Sequence, residues 1–154
     1  MPVDLYRTTG IEGNRPGRLG EAAVTVSDND VPCVGALAYD DAGRLLLVRR
    51  RNEPGRGLWS VPGGRVDPDE TDAAALVREM AEETGLLVEP GPLIGRVRRG
   101  NYLIADYRCR VVGGELRPGD DASDARWCDA AAMRTLPLVP QLLDTLGQWD
   151  ALPR

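Results

Sequence analysis

The chain has 154 residues, 42% of them hydrophobic and 28% charged, which suits one globular domain with a real core rather than a disordered segment. A net charge of −5, and no apolar run of membrane-spanning length, argue against nucleic-acid polymers and membranes as partners. The chain has no His and all 19 basic residues are Arg, which excludes a His base or triad, a His-ligated metal and a lysine Schiff base.

What remains is carboxylate and metal chemistry, with Arg as the cationic helper. Cys33, Cys109 and Cys128 are far apart and make no zinc spacing. They suit thiols packed as small hydrophobes in a reducing compartment, so a cytoplasmic location is expected. The first residues carry no signal-peptide pattern.

Residues 1–30 form a polar stretch punctuated by Gly10, Gly13, Pro16, Gly17 and Gly20, and the expectation is an N-terminal arm, loosely ordered, ahead of a domain over 31–150. Val31 to Tyr39 and Arg44 to Arg50 are apolar runs rich in β-formers. The turn residues Asp40 to Gly43 lie between them, which predicts a hairpin. Their near-continuous apolar character predicts a sheet buried on both faces and covered by helices.

Asn52 to Pro62 is a Gly/Pro-rich loop holding Trp59, with Arg49, Arg50, Arg51 and Arg56 nearby. The ring is either a lid on the core or a stacking surface for a base. The arginines are candidate phosphate contacts, because planar guanidinium binds phosphate bidentately. Arg49, Arg51 and Trp59 are the candidate substrate contacts.

The next stretch carries the chemistry. Thr71 is a candidate N-cap, and Gly85 a candidate left-handed C-terminal residue, for a helix between them. On a helical wheel Ala73, Ala74, Val77, Met80 and Ala81 gather on one side, and Glu79, Glu82 and Glu83 on the other. Like charges at these spacings repel, by about 0.2–0.5 kcal/mol per pair, and the helix dipole disfavours them at this end. A bound divalent cation relieves both penalties, and clustered carboxylates suit a hard ion.

Downstream, Leu86 to Val88, Leu93 to Arg99, Tyr102 to Val112 and Arg126 to Cys128 are strand-like, with turns at Glu89–Pro92 and Gly113–Gly114. Asp129 to Arg134 and Val139 to Trp149 read as helices, the second with a Leu142, Leu143, Leu146 packing face. The acidic loop between offers Glu115, Asp120, Asp121 and Asp124 as candidates for an extra base or ligand, against a plain turn and solubility role.

Gly64, then Glu70 after five residues, then Arg78-Glu79-Met80-Ala81-Glu82-Glu83-Thr84-Gly85-Leu86 after seven more, resembles a complete Nudix box. Gly57-Leu58-Trp59 and Pro62-Gly63-Gly64 resemble the family's lead-in. The resemblance covers about residues 31–150. It implies an α/β fold, the Nudix α/β/α sandwich with a mixed sheet between helices. It implies hydrolysis of a nucleoside diphosphate linked to X, using Mg²⁺ or Mn²⁺. Glu79, Glu82, Glu83 and the Gly64 carbonyl match the metal ligands. Arg78 joins the three glutamates in the catalytic set. Glu70 pairs with Arg78 as structural support for the acidic helix, and Gly85 closes it.

With no His, the general base should be a carboxylate of the box or of the acidic loop. An ADP-ribose-type substrate is favoured, as in bacterial ADP-ribose pyrophosphatase-like and MutT-like members. The alternatives are a (d)NTP pyrophosphohydrolase and a non-catalytic ligand-sensing module. A homodimer is a further expectation from family analogy.

Overall fold

The computed structural model describes residues 27–119 and 122–154. The expected arm lies almost wholly outside the described residues, as do Asp120 and Asp121. The elements run β1 (Val31–Ala38), β2 (Leu45–Arg50), β3 (Trp59–Ser60), β4 (Gly63–Arg65), α1 (Asp72–Thr84), β5 (Leu86–Arg99), β6 (Tyr102–Gly114), β7 (Ala122–Cys128), α2 (Ala130–Thr135) and α3 (Leu142–Gln148).

A four-stranded sheet has the order β4-β1-β6-β5. Strands β1 and β6 are parallel and the other pairs antiparallel, so the sheet is mixed as expected. The antiparallel sheet β3-β2-β7 is the second one.

Alternation along β1 sorts the core into two layers. Val34, Ala36 and Ala38 pack with Ala75, Leu76 and Met80 of α1. Leu37 packs with Leu45, Leu47, Trp59, Leu142 and Leu146, under the second sheet and α3. Each large side chain so buried contributes about 1.5–3 kcal/mol. Continuous burial of Leu45 to Val48 matches the apolar run in the sequence.

Several elements depart from expectation. Strands β1 and β2 do not form a hairpin: one bridge, Tyr39 to Leu45, joins them before they enter different sheets. The tight turn is as expected, but Leu45 and Leu47 bury against Trp59 and α3, which pulls β2 off the first sheet. The Glu89–Pro92 turn is instead part of one long strand, β5, which absorbs its prolines and glycine as register shifts against β6. Strand β7 begins at Ala122 rather than Arg126, and α3 begins at Leu142 because Gln141 takes a left-handed conformation (φ 66°).

Candidate active site

Helix α1 is capped as the sequence predicts. The Thr71 hydroxyl accepts from the Ala74 N–H at 3.1 Å, and Gly85 takes φ 74° and donates to the Ala81 carbonyl at 3.1 Å. The chain after β6 returns to the same helix end. Arg117 donates its N–H to the Thr84 carbonyl, and Gly119 to the Glu83 carbonyl, both at 2.8 Å. Helix carbonyls that would otherwise lack partners are thereby satisfied.

The helix is rotated from the expected orientation. Its buried residues are Ala75, Leu76, Met80, Glu83 and Thr84, whereas Val77 is 39% exposed and Ala73, Ala74 and Ala81 are exposed. Of the expected apolar side, only Met80 is buried. The reason lies in what α1 packs on. Its inner stripe carries Leu76 and Met80 into the sheet, and the same stripe carries Glu79 and Glu83 past the sheet edge at β4.

Those two carboxylates line a cavity of about 520 Å³, which also includes Gly63, Gly64, Arg50 and Asp106. Glu83 is 8% exposed, and its Oε1 accepts from the Gly63 N–H at 3.0 Å. Gly64 faces Glu79: a Cβ there would lie 2.5 Å from Glu79 Oε1, so only glycine lets the carboxylate approach this backbone.

Arg78 holds the cluster together. Its Nε and Nη2 each donate to Glu70 at 2.8 Å, a bidentate pair. Nη1 donates to Glu79 Oε1 at 2.8 Å and reaches Glu82 at 3.5 Å, and Nη2 also donates to the Arg65 carbonyl at 3.0 Å. The Arg78 hydrogen bonds hold Glu70 down to about 2, with the Asp67 N–H adding to the effect. Glu70 in turn raises Arg78, which stays charged at every working pH. Part of the expected glutamate repulsion is thus met by Arg78 itself.

Among the described residues, no three carboxyl or thiol groups already converge on a metal-sized point. The donors nevertheless fit a hard divalent cation: the carboxylates of Glu79 and Glu83 and the close Gly63–Gly64 backbone line the cavity, whereas Glu82 is exposed, lies 3.5 Å from Arg78 and is not part of the lining. Cys33 also lines the cavity, and burial pushes its thiol up to about 11, so it is a protonated wall group at neutral pH.

The other candidates disperse. Trp59 is 2% exposed, packs in the core with Arg126 over its ring at 5.0 Å, and does not line the cavity. Of its two expected roles, the lid on the core is the one the structure has. Arg49 donates to Ser123 Oγ at 2.7 Å and Arg51 is exposed; neither lines the cavity. Glu115 is exposed and lies beside Gly85, away from the cavity lining. Asp124 pairs with Arg126 at 3.0 Å.

Arg50, Arg65 and Arg99 are the arginines that line the cavity, and Arg50 is one position from each of the two expected contacts. Period-two alternation with Val48, which also lines the cavity, is the signal that would have found it. Asp106 and Thr145 were not predicted as site residues. A polar residue in the middle of a strand was the only hint for Asp106, and nothing local marked Thr145.

A NUDIX domain model matches residues 30–149. An ADP-ribose pyrophosphatase from Methanocaldococcus jannaschii is 40% identical over 92 residues, 56% of this chain and 54% of the relative. An 8-oxo-dGDP phosphatase from Mus musculus is 34% identical over 88 residues, 56% of this chain and 27% of the relative. The chain thus spans about half and about a quarter of these curated relatives. The crystal structure of an ADP-ribose pyrophosphatase from Streptococcus suis superposes with a TM-score of 0.63 at 25% identity, covering 79% of this chain and 87% of that one.

Proposed function

Given that the chain belongs to the NUDIX domain family, we propose that it is a divalent-metal-dependent pyrophosphohydrolase. It cleaves the P–O–P link of a nucleoside diphosphate joined to a second group, with an ADP-ribose-type compound as the favoured substrate. The observation that carries this is the pair Glu79 and Glu83 on the wall of one cavity, Glu79 held by Arg78 and Glu83 by the Gly63 N–H.

In this reading Glu79, Glu82, Glu83 and the Gly64 carbonyl hold Mg²⁺ or Mn²⁺. The ion, when bound, supplies charge neutralisation at the diphosphate and polarises it toward attack. The chain's own residues do the rest. Arg78 fixes Glu79 through one guanidinium nitrogen while anchoring itself on Glu70 through two others. Gly63 aims Glu83 through its N–H. Arg50, on the same cavity, is a guanidinium that binds phosphate oxygens. Because the chain has no His or Lys, a carboxylate takes the proton of the attacking water.

The name of the archaeal relative supports ADP-ribose, and that of the mouse relative supports a nucleotide without a second sugar. A panel of ADP-ribose, other sugar nucleotides, dNTPs and dNDPs, assayed with Mg²⁺ and with Mn²⁺, separates the two by their products. Glu83→Gln is expected to lower kcat by about 10²–10⁴-fold on whichever substrate is cleaved. Hydrolysis unchanged in Glu83→Gln, with the variant folded, would overturn the catalytic assignment. Cleavage of dNTPs with no turnover of ADP-ribose would reverse the substrate ranking.

A further inference from the structure

Glu83 is the buried glutamate of α1, and it is held at two points. Its carboxylate accepts from the Gly63 N–H of β4 at 3.0 Å. Its backbone carbonyl accepts from the Gly119 N–H at 2.8 Å. The first hold comes from the lead-in to the helix. The second comes from far downstream, from the segment that joins β6 to β7.

That segment is fitted closely to the helix end. Strand β6 finishes at Gly114, whose pairing with Leu86 returns the chain beside α1. Leu116 packs against the cluster that holds Leu76 and Met80. Arg117 and Gly119 then donate to consecutive helix residues, Thr84 and Glu83. A Cβ at Gly85 would lie 2.5 Å from the Glu115 carbonyl oxygen, and one at Gly119 would overlap the Glu82 carbonyl. Gly119 therefore lays bare backbone against the Glu82–Glu83 peptide, where no side chain fits.

A helix end needs donors, and an ordinary loop or water supplies them. A donor on backbone pressed against the last turn does more, because it fixes where that turn lies. It also acts electrostatically. The negative end of the helix dipole coincides with the Glu79, Glu82 and Glu83 cluster. The usual remedy is a basic side chain in the last turn, and α1 has none. The N–H groups of Arg117 and Gly119 bring partial positive charge to the same place. Unlike a full cationic charge, they leave the carboxylates to attract a divalent ion.

We propose that Gly119 is a positioning residue for the metal site. Its backbone fixes the Glu82–Glu83 turn, and through it aims the Glu83 carboxylate at the Gly63–Gly64 backbone. Glu83 as a metal ligand is taken from the hydrolase reading, on which this assignment rests. Part of the metal affinity then resides between β6 and β7, outside the helix and its lead-in.

The test is a calorimetric titration of metal-free protein with Mn²⁺. It compares wild type, Gly119→Ala and Gly113→Ala at a temperature where circular dichroism shows each folded. Alanine at 119 pushes the segment off the helix end. Alanine at 113, on the adjoining strand end, meets Leu87 at an ordinary contact distance of 3.5 Å. Gly119→Ala is expected to weaken Mn²⁺ binding by about 10–100-fold, as loss of a ligand's supporting contacts does. Gly113→Ala is expected to leave it unchanged. The Mn²⁺ concentration for half-maximal hydrolysis is expected to rise in parallel in Gly119→Ala, with kcat regained at saturating metal. An ordinary helix cap lowers the melting temperature alone. A lower melting temperature in Gly119→Ala with unchanged Mn²⁺ affinity would overturn the assignment, as would equal losses of affinity in both variants.

If Gly119→Ala does not fold, Leu116→Ala decides. It releases the segment's anchor on the core and adds no clash. Mn²⁺ binding is expected to weaken in the same direction, and unchanged affinity there would overturn the assignment. Affinities that shift as expected in a protein that cleaves no diphosphate would remove the hydrolase reading and leave the positioning role standing. A wild type that binds no Mn²⁺ would remove both.

Discussion

The cavity lining has two poles built on opposite principles: helix α1 with Glu79 and Glu83, and the sheet pole where Asp106 of β6 and Thr145 of α3 lie. At the α1 pole almost every charge has a partner: Arg78 serves Glu70 and Glu79 at 2.8 Å, and Glu83 takes the Gly63 N–H. At the sheet pole Asp106 and Thr145 are buried with an atom each left unpaired. The first pole holds its shape without a ligand and so can present carboxylates in fixed positions. The second carries the desolvation cost of two buried, unpaired oxygens.

The contrast predicts opposite pH dependences. Burial raises Asp106 to about 7, with Arg99 pulling against it. Its native pKa lies above the ordinary value, so the native state binds the extra proton, and stability falls as pH rises from about 4 through about 7. The other charged groups lining the cavity are Glu53, Glu79, Glu83, Arg50, Arg65 and Arg99. Asp106→Asn removes the penalty. Thermal melts between pH 5 and 8.5 are expected to show wild type losing stability toward alkaline pH by up to about 3 kcal/mol, and the variant losing much less. Parallel pH curves for the two proteins would mean that the carboxyl is better solvated than its burial indicates.

Glu70 behaves in the opposite sense. Arg78 holds it at about 2, so its contribution is present above the ordinary glutamate value and is lost as pH falls toward 2. Arg78→Lys tests the same wiring at neutral pH. Lysine keeps the charge but has no planar fork to bridge Glu70 and Glu79. The metal concentration for half-maximal activity is expected to rise about 10–100-fold, with kcat largely recovered at saturating metal. Unchanged metal dependence would reduce Arg78 to an ordinary surface cation.

How much of this was legible follows from where the information lies along the chain. The α1 pole is local: Gly64, Glu70, Arg78, Glu79, Glu82 and Glu83 fall within one stretch, and helical spacing brings the last four together. The caps at Thr71 and Gly85 were equally local. The sheet pole is not. Gly35, Asp106 and Thr145 are brought to one cavity by a parallel β1–β6 pairing and by a helix packed across it. No window of sequence contains that register. The same applies to the β1–β2 junction, where a tight turn suggested a hairpin and burial of Leu45 and Leu47 sent β2 to another sheet. Trp59 had two local readings, and only tertiary packing selects the core.

The smallest effect tests the rotation of α1. A wheel drawn from hydrophobicity alone turns Val77 inward with Ala73, Ala74 and Ala81, and turns Glu83 outward. In the structure Glu83 is buried and Val77 is exposed, because one stripe of the helix must serve both the sheet through Leu76 and Met80 and the cavity through Glu79 and Glu83. Small alanines on the outer side cost nothing there and favour the helix. Val77→Ser is therefore expected to change stability by no more than about 0.5 kcal/mol in denaturant melts and to leave kcat unchanged. Leu76→Ala, one residue away on the inner stripe, is expected to cost about 2–5 kcal/mol. A large loss at Val77 would return the helix to the orientation its apolar residues suggested, with Glu79 and Glu83 turned away from the cavity.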